Sequence, residues 1–479
     1  MSIIKAQEKK PIGLRANKFK QILAFYLLYV FVGGIFLFAL PQRPMSEEVS
    51  PLNMQDFSSF ESGLDRVILI DEGEQSIAFR LDLIRQAEGT LELAYHSLHK
   101  GVVADVFYGA LLEAADRGVE VKIIMDGIFH RLYGSMRGLR YALEAHPNIE
   151  FRLYEPFHLY KPWRWNNRLH DKIMVVDGEI ALISGRNIGN RYYLAEDLTK
   201  EFVLDLDVVV FTKDGQNPHS AVHQMNEYFN LLWNHPFTQN MRFKLTSRRQ
   251  ARGEKLSESL VTAVTTIRSD YSVGFSDLQT LQERCIPVER IKLIHNPISR
   301  GKKEPWVWAS LVHLAHEAKD SIVVQSPYII PTKGMLGYLK AESLAGKEVT
   351  LLTNSLASSP NLFGVAGYKG KRNFLGNWAT EIWEYYGPGS LHGKAVLFDD
   401  NLSAVGSFNM DARSSFLSTE TMLIIEGNEF NQYLRSILNK HAEYSQPILS
   451  SKQSPPAPLH KRIIAGTVRV FSWFVDYLL

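Results

Sequence analysis

One strand–helix–strand pattern occurs twice in this chain, and it restricts the fold more than any other feature of the sequence. The segments of the two copies are, in order, Glu88–Tyr95, Val102–Arg117, Gly118–Asp126, Lys319–Ser326, Met335–Leu344 and Gly346–Asn354. Strands that alternate with helices predict a mostly parallel sheet with helices on its faces. A chain of 479 residues is also too long for one hydrophobic core. We therefore expect an α/β protein with two similar lobes.

A short signature follows each copy, with the same spacing in both halves. It has the form His-x-Lys-x4-Asp, with an asparagine ten residues after the aspartate: His170, Lys172, Asp177 and Asn187 in the first half, and His392, Lys394, Asp399 and Asn409 in the second. One chance match in a chain of this length has odds of about one in twenty, and two with the same asparagine offset are roughly a thousand times rarer. The signature therefore indicates a function to which both halves contribute.

The residue types and their spacing indicate chemistry on a tetrahedral anion. Alternate residues of a strand project from one face, so the histidine and lysine of each signature lie together, and two facing strands enclose one small volume. Lysine and asparagine bind non-bridging phosphate oxygens and stabilise charge in the transition state. One histidine can attack phosphorus while the other protonates the leaving alcohol. Because the lysines supply positive charge, we expect neither a metal nor another cofactor, and such a cluster is a poor zinc site.

The duplicated signature resembles that of the phospholipase D superfamily, and the resemblance covers nearly the whole chain after the N-terminal apolar segment. Within that superfamily several stretches are similar to bacterial cardiolipin synthases: Asn167–Lys172, Ser184–Asn190, Gln325–Pro331 and the basic, apolar C-terminus. The resemblance implies two α-β-α sandwich lobes related by a pseudo-twofold axis through the active site. It also implies a covalent phosphohistidine, with His170 as nucleophile and His392 as acid and base. The near symmetry of the halves leaves that order open.

The resemblance also implies roles for residues around the two histidines. It implies that Asp177 and Asp399 mainly organise structure, although both belong to the signature. We place Ser407 with the two signature asparagines as a ligand of the substrate phosphate. The first half has Ser-Gly where the second has Gly-Ser, which leaves the role of Ser184 open.

The resemblance also implies that a carboxylate further along the chain orients each signature histidine. In the second half this residue would be Glu420, and its counterpart in the first half would be Asp207 or, alternatively, Asp205. A carboxylate on the second ring nitrogen fixes the tautomer of the imidazole and stabilises the imidazolium.

A basic and aromatic segment precedes the first signature and has two interpretations. It spans Lys161–Arg168 and includes Trp163, Trp165 and Arg168. In one interpretation it forms a rim that touches lipid headgroups or the membrane interface. In the other it is a packed loop.

Four further residues carry weaker expectations. Tyr328 either lines the substrate pocket or packs in the core of the second lobe. His96 and His99 follow a predicted strand, and we expect them to be solvated loop residues. Cys285 is the only cysteine, so it can form neither an internal disulfide nor a cysteine-based zinc site.

The segment Ile22–Leu40 contains no charged residue and is about as long as a helix that spans a bilayer. It is longer than the apolar core of a signal peptide, about 7–15 residues, so we predict a transmembrane anchor. The basic residues before it are Lys5, Lys9, Lys10, Arg15, Lys18 and Lys20, and the charged residues soon after it are Arg43, Glu47 and Glu48. The positive-inside rule then places the N-terminus in the cytosol and the catalytic body outside the cytoplasm.

The chain thus divides into six predicted parts. They are a basic cytosolic tail at 1–21, the anchor at 22–40, a first lobe at 60–245, an inter-lobe connection at 246–305, a second lobe at 306–450 and an amphipathic helix at 461–479. In the last part Arg462, Arg469 and Asp476 recur every seven residues among apolar side chains. Such a helix suits a membrane interface, and docking on the core is the alternative.

These features together predict a membrane-bound phosphatidyltransferase whose substrate is a phospholipid. With phosphatidylglycerol as acceptor the products are cardiolipin and glycerol, and with water the product is phosphatidic acid. A nuclease is an alternative, but 53 basic and 51 acidic residues do not suit a protein that binds nucleic acid through charge. A non-catalytic lipid-binding protein is a third interpretation, which the two intact signatures argue against. The sequence does not indicate an oligomeric state.

Overall fold

The computed structural model of the protein describes residues 12–40, 52, 54–194, 202–241, 243–270, 284–450, 458, 459, 461–463 and 466. The described strands form two large sheets and one small sheet of two strands. The large sheets have eight and nine strands and belong to two similar lobes. This arrangement confirms the bilobal α/β architecture.

The two large sheets share one topology. The strands are β1 Asp65–Ile70, β2 Thr90–Tyr95, β3 Glu120–Asp126, β4 Ile149–Tyr154, β5 Lys172–Val176, β6 Ile180–Ser184, β7 Val203–Leu204, β8 Asp207–Thr212, β9 Thr238–Asn240, β10 Ile286–Pro287, β11 Arg290–His295, β12 Ser321–Gln325, β13 Glu348–Asn354, β14 Glu381–Tyr385, β15 Ser390–Leu391, β16 Lys394–Phe398, β17 Leu402–Gly406, β18 Thr421–Glu426 and β19 Ser445–Pro447. The first sheet has the order β10-β1-β8-β6-β5-β2-β3-β4-β9, and the second has β11-β18-β17-β16-β12-β13-β14-β19. Apart from the edge strand β10, the two orders correspond strand by strand.

Only part of each large sheet is parallel, so the prediction of a mostly parallel sheet is wrong. Strands β2, β3 and β4 run parallel, as do β12, β13 and β14. Strands β5 and β6 pair antiparallel, as do β16 and β17. A crossover through a helix produces a parallel pair, whereas strands joined by a tight turn must run antiparallel. The hairpins that carry the signatures are of the second kind.

Helices pack against the sheets and between them. The α-helices are Ile12–Phe31, Leu37–Ala39, Met54–Ser58, Gly73–Gln86, Val102–Asp116, Arg137–Ala145, Ala221–Asn234, Ser247–Asp270, Trp306–Glu317, Lys333–Leu336, Leu362–Leu375, Ala412–Phe416 and Asn428–Glu443. A π-helix, Val32–Phe36, joins the first two, and the 3₁₀ helices are Gly134–Met136, Pro162–Trp165, Asn190–Tyr192 and Ala341–Leu344.

A shared apolar cluster joins the two lobes. Its buried side chains include Ile183 and Val208 from the first sheet and Val405 and Leu423 from the second. Burying one such side chain fully contributes roughly 1.5–3 kcal/mol. The interface between the lobes is therefore a hydrophobic core of its own, and other clusters fill the remainder of each lobe.

The signature aspartates hold the turns of their hairpins. Asp177 and Asp399 have φ angles of 52° and 50°, in the left-handed region that a hairpin turn requires. The Asp177 carboxylate accepts the backbone N–H groups of residues 88–90 at 2.7–2.9 Å. The Asp399 carboxylate accepts those of 319–321 at 2.8–2.9 Å. Each aspartate thus ties its hairpin to the start of β2 or β12, at the end of the hairpin away from the histidine.

The segment 246–305 contributes structure to both lobes instead of merely connecting them. Its helix Ser247–Asp270 packs on Val102–Asp116 and Arg137–Ala145 in the first lobe. Strand β10 pairs with β1, and β11 pairs with β18 of the second sheet. The described parts of the predicted connection, 246–270 and 284–305, are therefore part of the folded body.

The N-terminal helix is long and apolar enough, over Lys18–Ala39, to cross a membrane. Large apolar side chains such as Phe19, Ile22 and Phe25 are exposed on it. Its far end packs against the loop that precedes the first signature, because Asn166 Nδ2 donates a hydrogen bond to the carbonyl oxygen of Gly34 at 2.6 Å. Most of the C-terminal segment 461–479 lies outside the described residues, so its predicted amphipathic helix stays a prediction.

Candidate active site

The two signature lysines begin equivalent strands at one edge of the sheets. Lys172 is the first residue of β5 and pairs with Tyr95, the last residue of β2. Lys394 is the first residue of β16, which runs antiparallel to β12. The lysines and the histidines two residues before them therefore lie at the carboxyl ends of the parallel strands. This is the edge at which α/β sheets commonly bind ligands.

Backbone contacts attach each signature histidine to the opposite lobe. The N–H of His170 donates to Thr419 Oγ1 at 3.1 Å. The N–H of His392 donates to the carbonyl oxygen of Leu204 at 2.7 Å. Strands β7 and β15 also pair in parallel across the lobes. The site is thus built from both halves of the chain.

A buried carboxylate from the opposite lobe holds each imidazole. His170 Nδ1 lies 3.0 Å from Glu420 Oε2, which also accepts a hydrogen bond from Ser407 Oγ at 2.6 Å. His392 Nδ1 lies 2.5 Å from Asp205 Oδ2. Because a carboxylate accepts hydrogen bonds, Nδ1 of each ring carries the proton and Nε2 has a free lone pair.

Asp205, and not Asp207, is the partner of His392, so our first choice for this residue is wrong. Asp207 Oδ2 accepts a hydrogen bond from Arg80 at 2.7 Å, and the hydroxyls of Ser76 and Ser184 also donate to its carboxylate. The physical reason is local: the chain leaves the sheet ladder between β7 and β8, and only Asp205 faces the site. Ser184, whose role the sequence left open, belongs to the buried network around Asp207.

Burial and the two lysines keep both imidazoles neutral. Burial, Lys172 and Lys394 hold the pKa of His170 well below its ordinary value. Burial and Lys394 lower the pKa of His392 to about 4, although Asp205 acts in the opposite direction. Both rings therefore present an unprotonated Nε2 at neutral pH in the absence of an anion.

The lysines and carboxylates of the site are themselves perturbed. Burial lowers the pKa of Lys172 to about 7 and that of Lys394 to about 8. Burial raises the pKa of Glu420 to about 7. Burial acts to raise the pKa of Asp205 too, but the charges of His392 and Lys394 overcome it and hold that pKa below its ordinary value. A bound anion would favour the charged forms of the two lysines and the two histidines.

Of the predicted phosphate ligands other than the lysines, Asn187 and Ser407 have hydrogen-bond partners within the protein, whereas the side-chain oxygen of Asn409 has none among the described residues. Asn409 Oδ1 is buried without a hydrogen-bond partner among the described residues. Asn187 Oδ1 accepts the Ser97 N–H at 3.2 Å, and its Nδ2 donates to the hydroxyl of Tyr192 at 3.1 Å. The Ser407 hydroxyl proton is donated to Glu420, so this serine orients the carboxylate instead of facing a phosphate.

The aromatic segment before the first signature packs against the N-terminal helix. Trp163 is 39% exposed, and its ring meets that of Tyr29 edge-on, with centroids 6.4 Å apart. Trp165 stacks on Phe157 at 5.2 Å. The segment is therefore both a partly exposed rim and a packed loop.

Arg168 is not a rim residue, which corrects its predicted place. Its side chain is buried, Nη1 lies 3.3 Å from Asp126 Oδ1, and Nη2 donates to the carbonyl oxygens of Glu155 and Arg164. Asp126 also accepts the backbone N–H of Leu169. Arg168 thus positions the strand entry at the first signature.

Tyr328 lies in the wall of a cavity beside His392. The cavity has a volume of about 230 Å³, and its lining also includes Arg191, Tyr192 and Asn361. Tyr328 therefore faces a pocket, and one side of its ring is in contact with the helix at Gly364.

His96 and His99 are not solvated loop residues, contrary to our expectation. The ring of His96 lies 5.1 Å from that of His170, and its Nδ1 lies 2.6 Å from the carbonyl oxygen of Leu169. The ring of His99 lies 5.7 Å from that of Tyr192. The sequence could have indicated both residues, since they follow the carboxyl end of a strand in a strand–helix–strand unit, where α/β sheets commonly place their sites.

Over the ranges that the structure describes, no group of three or more histidine, cysteine or acidic side chains is arranged to hold a metal ion.

Comparison with known proteins relates this chain to enzymes of phospholipid synthesis. Residues 81–233 and 311–442 match the family described as "Cardiolipin synthase, PLD-like domain". An uncharacterized protein of Helicobacter pylori is 28% identical over an alignment of 417 positions, and the match covers 79% of each chain. Cardiolipin synthase C of Escherichia coli K12 is 27% identical over an alignment of 398 positions, and the match covers 76% of this chain and 82% of that protein.

A solved structure shares the fold. The phosphatidylserine synthase of Haemophilus influenzae Rd KW20 superposes with a TM-score of 0.62 at 14% identity. The match covers 89% of this chain and 98% of that chain. At 14% identity the match shows similarity of fold alone.

Proposed function

Because the chain belongs to the family of cardiolipin synthase, phospholipase D-like domains, we propose that it is a membrane-bound phosphatidyltransferase that works through a phosphohistidine. One observation carries the proposal: two histidines present free Nε2 atoms, each is held at Nδ1 by a buried carboxylate of the opposite lobe, and two buried lysines act on both. This arrangement suits in-line substitution at a phosphodiester.

In the first step Nε2 of His170 attacks the phosphorus of the donor lipid. A bond forms between Nε2 and phosphorus, and the bond from phosphorus to the headgroup oxygen breaks. His392, protonated at Nε2, donates that proton to the leaving oxygen, so an alcohol departs. Lys172 and Lys394 stabilise the charge on the non-bridging oxygens.

Electrostatic differences between the histidines support this order of roles. The charges around Asp205 keep it ionised, so it stabilises an imidazolium at His392 once the substrate anion has raised the pKa of that ring. Glu420 has a pKa raised to about 7 by burial and stabilises an imidazolium at His170 less well. His170 therefore suits the neutral nucleophile, and His392 suits the acid.

In the second step His392 acts as the base. It takes the proton of an acceptor hydroxyl, the acceptor oxygen bonds to phosphorus, and the bond from phosphorus to His170 breaks. With phosphatidylglycerol as donor and acceptor, the products are glycerol and cardiolipin. With water as acceptor the same residues yield phosphatidic acid, which is the second candidate activity.

The apolar helix supports a place in the membrane for this chemistry. Tyr26 and Tyr29 on it donate hydrogen bonds to the carbonyl oxygens of Leu159 and Tyr160 at 2.9 and 2.7 Å. Phe157, Leu159 and Tyr160 are exposed at the same place. We propose that the helix spans the bilayer, with its N-terminus in the cytosol and the body outside the cytoplasm. Protease added outside intact cells should then cut the body, and full protection would contradict this orientation.

The activity is tested by the choice of substrate. Full-length protein is supplied with vesicles of phosphatidylglycerol, with vesicles of phosphatidylethanolamine and with single-stranded DNA. We expect cardiolipin and glycerol from the first, and loss of both with His170→Ala and His392→Ala. His313→Ala, on helix Trp306–Glu317, is the matched control and should retain activity. DNA cleavage without any lipid product, lost in both site variants, would overturn the proposal.

A further inference from the structure

The two halves of the site are similar in their signatures but differ in the cations around them. The difference lies beside His392, where the cavity of about 230 Å³ opens. Pockets that enclose drug-sized ligands occupy roughly 300–1,000 Å³, so this one suits a small polar headgroup and not an acyl chain. Its charged lining residue, apart from the histidine, is Arg191.

Arg191 is held in place, and no carboxylate among the described residues forms an ion pair with it. Its guanidinium lies 5.5 Å from the centre of the Tyr192 ring, within the range of a cation–π contact. Its Nε is buried and has no hydrogen-bond partner among the described residues. The Tyr192 ring in turn lies 5.7 Å from that of His392. The Arg191 guanidinium thus lines the cavity beside His392, the proposed acid and base, and its Nε–H has no partner among the described residues.

Arg131 extends this positive region to the surface. Its Nη1 lies 3.1 Å from His99 Nδ1, and the His99 ring lies 5.7 Å from the Tyr192 ring. Burial, Arg131 and Arg191 together lower the pKa of His99 to about 4. The imidazole between the two guanidiniums is therefore neutral, and it accepts a hydrogen bond from Arg131.

The second half does not reproduce this arrangement. Four residues after the signature asparagine, Arg413 corresponds to Arg191, but its Nη1 donates to the carbonyl oxygen of Asn166 at 3.4 Å. Five residues after the end of β13, Ser359 stands where Arg131 follows β3. One symmetric pair of lysines serves the reacting phosphate. Arg191 and Arg131, which have no such counterparts in the second half, are not required to bind the reacting phosphate.

We propose that Arg191 and Arg131 form a second oxyanion subsite, which binds the phosphate of the acceptor lipid while its headgroup hydroxyl reaches His392. This inference rests on the proposed phosphatidyltransferase function and names the acceptor class as an anionic phosphodiester lipid. Guanidinium groups bind phosphate oxygens in pairs, which fixes the orientation of a ligand as well as its charge. Water and simple alcohols have no such phosphate to bind.

The subsite changes no step of the transfer. The acceptor hydroxyl still gives its proton to His392, its oxygen bonds to phosphorus, and the bond to His170 breaks. The arginines hold a second, unreactive phosphate at a fixed distance from that hydroxyl. They therefore determine which acceptor is used and do not take part in the bond changes.

The test is a competition between two acceptors in one reaction. Full-length protein receives phosphatidyl-p-nitrophenol as donor, with phosphatidylglycerol and 1-butanol as acceptors. We expect Arg191→Gln to lower the ratio of cardiolipin to phosphatidylbutanol by about tenfold to a hundredfold, the effect of losing a charged hydrogen-bond donor. Arg191→Lys should recover part of the ratio, because it keeps the charge but not the paired donors. The exposed Arg131→Gln should lower the ratio by less.

Arg248→Gln, an exposed arginine on helix Ser247–Asp270, is the matched control and should leave the ratio unchanged. Equal losses of both products in the Arg191 and Arg131 variants, or an unchanged ratio, would overturn the subsite. Formation of phosphatidylbutanol but no cardiolipin by the wild type would overturn it as well. Failure of the wild type to form either product would instead contradict the proposed function. If Arg191→Gln does not fold, Arg131→Gln decides the question alone.

Discussion

At the scale of single residues, two aspartates only two positions apart have different tasks. Asp205 holds His392, whereas Asp207 neutralises the buried Arg80 at 2.7 Å. Asp205→Asn removes the charge that stabilises the imidazolium and can invert the tautomer of the ring. We expect kcat to fall by about a hundredfold to ten-thousandfold with little change in melting temperature. Steady-state kinetics on phosphatidylglycerol vesicles measures the first quantity, and thermal unfolding the second.

Asp207→Asn is the comparison variant and should lower the melting temperature while leaving kcat nearly unchanged. It leaves the guanidiniums of Arg80 and Arg186 buried without a full counter-charge, which costs about 3–5 kcal/mol of unfolding free energy. The remaining folded protein should retain most of its activity. A stable but inactive Asp207→Asn, together with an active Asp205→Asn, would contradict the assignment of the two residues.

A second prediction at this scale concerns proton uptake when an anion binds. Burial lowers the pKa of Lys172 to about 7 and of Lys394 to about 8. At about pH 8 the first is therefore mostly neutral and the second about half neutral. A bound dianion favours the charged ammonium forms and raises both pKa values, so binding should take up about one proton. Calorimetry of sulfate binding in buffers of different ionisation enthalpy measures this number.

Lys394→Arg is the control for proton uptake. A guanidinium keeps the positive charge at all accessible pH values and cannot titrate. Binding of sulfate should persist while the number of protons taken up falls. Equal uptake by both proteins, or a net release of protons, would argue against buried, partly neutral lysines.

The sequence predicted the residues of this site where their spacing carried the information. Spacing alone indicates both signatures, whereas Glu420 follows from the resemblance to the family. The choice between Asp205 and Asp207 was not available from spacing, because alternate residues of an extended strand share a face and only a local break in the ladder separates them. Arg168 was misplaced because its partner Asp126 lies 42 residues away in sequence. Burial of a charge through such a distant partner leaves no local pattern.

At the scale of elements, the N-terminal helix is docked on the body through small residues. A Cβ atom at Gly34 would lie 3.3 Å from Cβ of Pro162, and Asn166 binds the carbonyl oxygen of Gly34. Gly34→Leu should therefore push the helix away from the loop at 157–166. We expect faster hydrogen–deuterium exchange in that loop and lower activity on vesicles, because the loop leads into the first signature.

Gly370→Leu is the matched control for helix docking. Gly370 lies on helix Leu362–Leu375, and a Cβ atom there would meet nothing within 4 Å. Exchange in the loop at 157–166 should not change in this variant. If Gly34→Leu also leaves the loop unchanged, the helix is not docked as described.

The elements themselves were largely predictable, but their directions were not. The repeat located the four strands and the helix of the first copy because periodicity and turn residues are local. The helix predicted at Met335–Leu344 in the second copy is wrong, since a short α-helix, Lys333–Leu336, and a 3₁₀ helix, Ala341–Leu344, stand there instead. The pairing of β5 with β2 is a contact between distant segments, and its antiparallel sense follows from the hairpin and not from the repeat. The polar composition of the segment 246–305 predicts a connection, yet a polar helix can pack through one face alone.

At the scale of the whole molecule, the lobes exchange the groups that make the site work. Glu420 of the second lobe holds His170 of the first, and Asp205 of the first holds His392 of the second. The sequence predicted two lobes and one shared site. It could not show which half serves which histidine, because a repeat fixes the content of each half and not the contacts between them. The exchange makes neither lobe complete alone.

The most direct test of this account asks which histidine carries the phosphatidyl group. His392→Ala is mixed with phosphatidyl-p-nitrophenol, whose leaving group departs without a proton. We predict a burst of one p-nitrophenolate per protein, slow turnover afterwards, and a phosphatidyl group attached to His170 in the peptide map. His170→Ala should give no burst. A burst from His170→Ala, or attachment at any residue other than His170, would contradict the central claim.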